Sequence, residues 1–503
     1  MIFKNPVVKG FYPDPSVCFA NGKYYMVCSS FQYFPGIPLF ESEDLVNWTQ
    51  IGYVLTRSEQ VMLDKINSSG GIFAPTIRFN NGRFYVVTTN DTTSQNFYVY
   101  TDDIYGEWSD PIYVDQGGID PSLYFEKNKC YFMSNGEDDK GVCGAVQCEI
   151  DIKTGKKLSE SKCIWQGSGG RFLEGPHLYK IGKWYYLMAA EGGTEYGHMI
   201  TCARSRSLWG RYSRNPNNPV LTNRNKAPYI IQGIGHGDLI QDQNGNWFIL
   251  SLGFRQIHLW MPFHNLGREV FLTPVKFGED GWFTAGADGT TEESFEIEGD
   301  FTQNEKKNFT FGNTSWNVDW SYMRKPDLKK YVLEDTKATL FGSDITLEDA
   351  DSPTFLALRQ KDFSFLMSAD VAVAPEGNDA SARYEAGFTV YMCENEHYDV
   401  ALRKRLGAEG YEVVLKLNIG GIKHVQKAVP IKSNKVKLIV KADNFSYSFL
   451  FKEEDENIGM PIGYGYAKYL TSEVSGGFTG VMLGMYAIGS CKAEFENFEI
   501  EYR

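Results

Sequence analysis

Asp14-Pro15-Ser16-Val17, running into Gly22-Lys23-Tyr24-Tyr25, is the first of five stretches with one grammar. A small or polar residue, usually a proline, another small or polar residue and an apolar one lead through a turn into an aromatic-rich strand. The second is Ala74-Pro75-Thr76-Ile77 into Gly82-Arg83-Phe84-Tyr85, and the third Asp120-Pro121-Ser122-Leu123 into Lys129-Cys130-Tyr131-Phe132. Glu174-Gly175-Pro176-His177-Leu178 into Gly182-Lys183-Trp184-Tyr185-Tyr186 follows, then His236-Gly237-Asp238-Leu239 into Gly245-Asn246-Trp247-Phe248. Strand–turn–strand repeats at intervals of roughly 45–60 residues predict propeller blades. The innermost strand of each blade lines the axis, so equivalent positions converge there. Asp14, Asp120, Glu174 and His236 are therefore expected to meet, although they are far apart in the chain.

Outward from these repeats, short strands separated by Gly, Asn and Asp turns continue to about Phe283. Phe84 to Thr89, Phe97 to Thr101, Trp184 to Ala189 and Trp247 to Leu252 are examples. The segment from Phe295 to Asn308 is acidic and poor in apolar residues, which places a domain boundary there. A five-bladed propeller is expected over residues 1–294 and a second all-β domain over 309–503. In the second region, strands are read at 363–367, 385–391, 435–440, 478–486 and 493–498, and helical periodicity is nearly missing. That pattern predicts a two-sheet β-sandwich of jelly-roll, concanavalin-like type.

At 503 residues the chain is too long for one ordinary core, and 42% hydrophobic with 22% charged residues is ordinary for a soluble globular protein. A net charge of −13 argues against a nucleic-acid partner, since phosphate binding needs a basic face, and is compatible with a neutral substrate. Aromatics at 15% fit a strand-rich core, with some left over for sugar platforms. The nine cysteines show no metal-type spacing and read as buried apolar thiols. No apolar stretch is long enough to span a bilayer, so no membrane partner is expected. Free thiols and an N-terminus without a signal-type pattern predict a cytoplasmic protein. A homo-oligomer is compatible with the sequence, but no interface can be read from it.

Three carboxylates facing one pocket repel each other, so at least one is expected to be protonated or paired. Asp14 and Asp120 taken singly could be turn aspartates before proline. Glu174 has less structural reason for its place at an apolar-flanked strand start. The chemistry that needs two separated carboxyls is glycoside hydrolysis: one protonates the leaving oxygen, and the other activates water on the opposite face of the sugar. A third carboxyl beside the acid would hold its pKa up. His236 at the axis would contact the sugar or offer a ring nitrogen to a metal. No cofactor is expected to be required, and a structural calcium ion is left open because no cage of oxygen ligands can be read.

The motifs also resemble a known family. Asn5-Pro6-Val7 with Gly10-Phe11-Tyr12-Pro13-Asp14-Pro15-Ser16 is similar to the opening of glycoside hydrolase family 43. So are Ser29-Ser30-Phe31-Gln32-Tyr33-Phe34-Pro35-Gly36, Ser42-Glu43-Asp44-Leu45-Val46-Asn47-Trp48 and Gly70-Gly71-Ile72-Phe73-Ala74-Pro75. Gly118-Ile119-Asp120-Pro121-Ser122, Glu174-Gly175-Pro176-His177, Ala190-Glu191-Gly192-Gly193-Thr194 and Gly267-Arg268-Glu269 continue the match in order. Glu385-Ala386-Gly387-Phe388 and Gly480-Val481-Met482-Leu483-Gly484 resemble the jelly roll of the β-xylosidase-like branch.

The resemblance implies an inverting glycosidase with Asp14 as general base, Glu174 as general acid and Asp120 tuning and orienting the acid. Base and acid would stand roughly 6.5–9.5 Å apart to admit a water. It further implies that Arg268 reaches into the sugar site, that Thr194 and His236 contact the substrate there, and that Phe31 and Phe34 form an apolar wall. Many relatives carry Trp where this chain has Phe73, so the ring facing the sugar is smaller here. The oligosaccharide substrate implied is one ending in β-D-xylose, with α-L-arabinofuranose, or both sugars, as the alternative. A non-catalytic carbohydrate-binding propeller is the competing reading from another class.

Overall fold

The computed structural model describes residues 1–503 apart from 258–260, 300, 378–382, 406, 455 and 457. Five four-stranded antiparallel meanders form a propeller. Their innermost strands are Ser16–Ala20, Ile72–Asn80, Ile119–Glu126, Glu174–Ile181 and Ile231–Gln241. All five begin within or close to the repeated motifs. The strand Ile2–Lys4 pairs antiparallel with Ser294–Glu296 and ties the N-terminus to the end of the last blade.

The residues after the prolines explain the grammar. The Thr76 hydroxyl donates to the Pro121 carbonyl at 2.8 Å, and the Ser122 hydroxyl to the Pro176 carbonyl. The Ser16 hydroxyl donates to Asp238 at 2.6 Å and accepts the Ile77 N–H at 3.1 Å. A small hydroxyl at this point thus latches one blade to the next, near the axis where no larger side chain would fit. Below these latches Asp238 collects Arg78 at 2.7 Å and the Tyr179 hydroxyl, while Arg78 also meets Nδ1 of His177 at 2.8 Å. Buried polar groups from four blades therefore satisfy one another across the axis and plug it.

The proline motifs also bend the inner strands. Pairing slips between Phe73 and Thr76, between Ile119 and Ser122, and between Glu174 and His177. Each slip is a β-bulge, which re-aims side chains and tolerates the missing N–H of proline. At the axis Asp14, Asp120 and Gly175 take left-handed backbones with φ of 56°, 54° and 55°.

The second region is a sandwich of two eight-stranded sheets. The outer sheet alternates buried and half-exposed residues, as in Phe365–Pro375 and Lys435–Ala442. In the inner sheet, Glu385–Cys393 and Glu396–Lys404 are buried almost throughout. An antiparallel sheet is buried on both faces only when something covers its second face, and here the propeller does. Phe11, Phe31 and Tyr33 of the propeller share one core with Phe355, Tyr391 and Tyr486 of the sandwich. The inner sheet even annexes the propeller strand Tyr33–Phe34, whose Phe34 pairs with Tyr322. Two fully buried arginines of the sandwich bond to propeller backbone: Arg359 to the Phe11 carbonyl at 2.8 Å and Arg324 to the Ile66 carbonyl at 2.6 Å.

The strand expected over 478–486 is shorter than its apolar pattern suggests, running Met482–Ile488. Residues 478–481 leave the sheet and lie on the propeller. A Cβ on Gly480 would come within 2.4 Å of the Leu266 carbonyl oxygen, and one on Gly267 within 2.9 Å of the Gly480 Cα. Two backbones touch there, which is why both motifs carry glycine. The Phe478 N–H donates to the Ser69 hydroxyl at 2.8 Å. The loop thus brings a sandwich aromatic to the propeller's open end. No helix among the described residues is long and apolar enough to cross a membrane.

Candidate active site

At the end of the axis away from the Arg78–Asp238 plug lies a cavity of about 440 Å³. It is lined by Asp14, Asp120, Glu174, His236, Arg268 and Thr194, with Phe31, Phe73 and Phe478 as an apolar wall. Residues from all five blades and from the sandwich therefore meet in one pocket, as the repeats predict for the axial set. Phe34 does not join them. It is 5% exposed and belongs to the interdomain core, because the strand Tyr33–Phe34 is held by the sandwich sheet rather than by the pocket wall.

The three carboxyls occupy different surroundings. Asp14 is buried; its Oδ2 accepts the Ser29 hydroxyl at 2.5 Å and its Oδ1 accepts Arg268 Nη1 at 3.2 Å. Burial alone would raise its pKa, but Arg268, His236 and the Ser29 hydrogen bond together outweigh it and hold Asp14 below the ordinary carboxylate range. Asp120 is also buried and, among the described residues, accepts only the Gly175 N–H, at 3.2 Å. Burial first, then the charges of Glu174 and Asp14, push it well up. Glu174 stands one residue before the left-handed position that Asp14 and Asp120 occupy in their own motifs. That one-residue offset leaves it half-buried at the head of its strand. Burial and the charge on Asp14 raise its pKa to about 7, against an opposing pull from Arg268. Glu174 and Asp120 titrate as a pair, so near neutrality the pocket keeps a proton on this pair while Asp14 is ionised.

Arg268 organises the Asp14 side of the pocket. Besides Asp14 it donates to the Thr194 hydroxyl at 2.8 Å and to the Phe478 carbonyl at 3.3 Å. Its guanidinium lies 5.8 Å from the Phe31 ring centre and 5.6 Å from that of Phe478. Its buried Nε–H has no hydrogen-bond partner among the described residues, which leaves a donor for a ligand hydroxyl. Phe31 stacks on Phe478 at 5.9 Å, and the edge of Phe73 meets Phe478 at 6.0 Å. His236 sits 3.6 Å from Asp14 and 3.7 Å from Asp120 through Nδ1, and burial lowers its pKa. No three His, Cys, Asp or Glu side chains among the described residues are gathered so as to hold a metal ion.

Sequence reasoning missed Phe478 and the rim residues Phe172, Tyr196 and Glu473. Glu473, from the sandwich, accepts Nδ1–H of His264 at 2.7 Å and the Tyr196 hydroxyl at 2.9 Å, fastening the sandwich to the pocket mouth. The signals present were indirect: the Glu191-Gly192-Gly193-Thr194 and Gly480 motifs lie next to these residues without naming them.

Residues 3–283 match the Glycosyl hydrolases family 43, and residues 308–501 match the Beta xylosidase C-terminal Concanavalin A-like domain. The chain belongs to glycosyl hydrolase family 43. As a family member it is a glycoside hydrolase acting on oligosaccharides, not a binding module alone. A non-reducing end alpha-L-arabinofuranosidase of Bacteroides ovatus is 36% identical over 98% of this chain and 92% of its own length. A xylosidase/arabinosidase of Butyrivibrio fibrisolvens is 34% identical over 100% of this chain and 99% of its own. The solved structure of Bacteroides ovatus Xyloglucan PUL GH43B superposes with a TM-score of 0.90 at 34% identity, covering 100% of both chains. The five-bladed propeller and the concanavalin-like sandwich of this family 43 enzyme agree with those matches.

Proposed function

We propose that this family 43 enzyme removes single pentose residues from the non-reducing ends of short oligosaccharides, with inversion at the anomeric carbon. Terminal β-D-xylose is the leading glycone, supported by the sandwich of β-xylosidase type. α-L-Arabinofuranose is the alternative, supported by the Bacteroides ovatus relative. The observation that carries the reading is the division of labour between carboxyls in a pocket with a plugged floor: an ionised Asp14 beside Arg268, and a Glu174 lifted to about 7. A pocket closed at the axis holds a chain end rather than the middle of a chain.

In this mechanism Asp14 takes a proton from water as the water oxygen attacks the anomeric carbon. Glu174 gives its proton to the glycosidic oxygen as that bond breaks, so the products are one free sugar and the shortened oligosaccharide. Asp120 shares the proton of the pair with the acid, and Arg268 and His236 hold sugar hydroxyls and the base. Water and these side chains supply every group the reaction consumes, so no cofactor is needed.

Initial rates on p-nitrophenyl β-D-xylopyranoside and α-L-arabinofuranoside rank the two glycones. Proton NMR of the first-formed sugar should show the inverted anomer. A well-folded protein that cleaves neither glycoside, or that releases the retained anomer first, contradicts the reading.

The pH profile follows from the same groups. The acid must be protonated, so kcat/KM should fall about tenfold per unit above an apparent pKa near 7, the limb belonging to the Glu174–Asp120 pair. The base must be ionised, and since Asp14 is depressed, the acidic limb should lie below the ordinary aspartate range. A rate unchanged between about pH 6 and 9 would remove Glu174 from the acid role.

A further inference from the structure

Phe172 stands at the mouth of the pocket, two residues before Glu174, and is 59% exposed. Its φ is 53°, in the left-handed region that bulky L-residues avoid. An aromatic ring left in water and a strained backbone under it are each unfavourable, and such strain persists where the surroundings over-determine it, typically at functional sites.

The surroundings do so here. The fully buried carboxylate of Glu191 accepts the Ser168 N–H at 2.8 Å, the Gly170 N–H at 2.7 Å and the Thr201 hydroxyl at 2.6 Å, which fixes the loop leading to Phe172. The next turn is stitched to it: the Gly192 N–H donates to the Arg171 carbonyl at 2.7 Å, and Arg171 Nε donates back to the Gly192 carbonyl at 3.1 Å. Behind the ring is Gly193, where a Cβ would come within 3.2 Å of Phe172. The Arg171 guanidinium lies 5.3 Å from the ring centre and pairs with Glu195. The ring is therefore held from behind, beside a charge pair that sums to zero, and is presented to solvent at the pocket mouth.

We propose that Phe172 is the platform for the leaving sugar, the residue on the far side of the bond being cleaved. The proposal rests on the hydrolase reading above. Glu174 protonates the oxygen that departs with that sugar, so the sugar must lie on the Glu174 side of the mouth, where Phe172 stands. A ring face suits the C–H face of a pyranose, and the neutral Arg171–Glu195 pair offers hydrogen bonds to hydroxyls without favouring an acidic sugar. Phe172 would thus set the preference for a glycosyl over a simple alkyl leaving group.

The test compares two substrates with one glycone and alkoxide leaving groups: β-1,4-xylobiose and methyl β-D-xylopyranoside, or the corresponding arabinofuranosides if that glycone ranks first. Phe172→Ala should lose about tenfold in kcat/KM on the disaccharide, mostly through KM, and less than about twofold on the methyl glycoside. Phe172→Trp should restore the disaccharide. Phe172→Gly, which relieves the backbone, should match or exceed wild-type Tm while losing the same disaccharide activity. Equal losses on both substrates, or no loss on the disaccharide, would overturn the platform while the wild-type rates still support the hydrolase. Wild-type protein inactive on both glycone series would overturn the pentosidase reading and the platform together.

Discussion

Asp14→Ala is expected to lower kcat/KM by about 10⁴-fold, and by the same factor whatever the leaving group. The base acts on water, and its proton transfer does not involve the departing oxygen. Activated aryl glycosides and natural disaccharides should therefore suffer alike. The depressed pKa of Asp14 reflects Arg268, His236 and Ser29 arranged around the anion, all of which remain in the variant. Asp14→Asn keeps the size of the side chain and a hydrogen bond to Ser29 but cannot take a proton, so it should be nearly as inactive. Initial rates of both variants on p-nitrophenyl β-D-xylopyranoside and on xylobiose check this, with circular dichroism confirming the fold. A loss confined to the disaccharide would mean that Asp14 does not activate water.

That Asp14, Asp120 and Glu174 could be brought to one axis from the chain alone has a local cause, whereas their separate roles came only from the family resemblance. The blade grammar is a short-range code: proline bends the strand, the following hydroxyl latches the next blade, and the residue before it turns inward. Asp14 and Asp120 follow this rule directly, and Glu174 by a one-residue offset that also gives it a half-exposed position. His236 has no proline after it, yet its φ of 35° brings it to the same axis.

What stayed hidden depends on contacts across hundreds of residues. Phe34 looks like pocket wall beside Phe31, but the sandwich takes the strand Tyr33–Phe34 into its own sheet. Residues 478–481 carry the apolar pattern of a strand, yet Gly480 lies against Gly267 and carries Phe478 into the pocket. Phe172 has neither periodicity nor motif to mark it; only its exposure and backbone, known once the chain is folded, single it out. Local chemistry was readable, and the assembly of two domains around one cavity was not, because periodicity reports which face of a strand is buried and not what buries it.

Glu174→Ala separates the acid from the base. A p-nitrophenolate leaves without help, whereas a sugar alkoxide needs the proton that Glu174 supplies. The variant should lose about 10³–10⁴-fold in kcat/KM on xylobiose and only about tenfold on the aryl glycoside. Its alkaline limb near pH 7 should disappear on the aryl substrate, because the proton whose loss defined that limb is no longer used. Asp120→Asn supplies the contrast. It removes the carboxyl with which Glu174 shares its proton and leaves the acid in place, so the limb should move to lower pH rather than vanish. If Glu174→Ala costs both substrates equally, the proton donor is another group. If Asp120→Asn leaves the limb unmoved, the two carboxyls are not coupled, and the elevated pKa of Glu174 comes from burial and Asp14 alone.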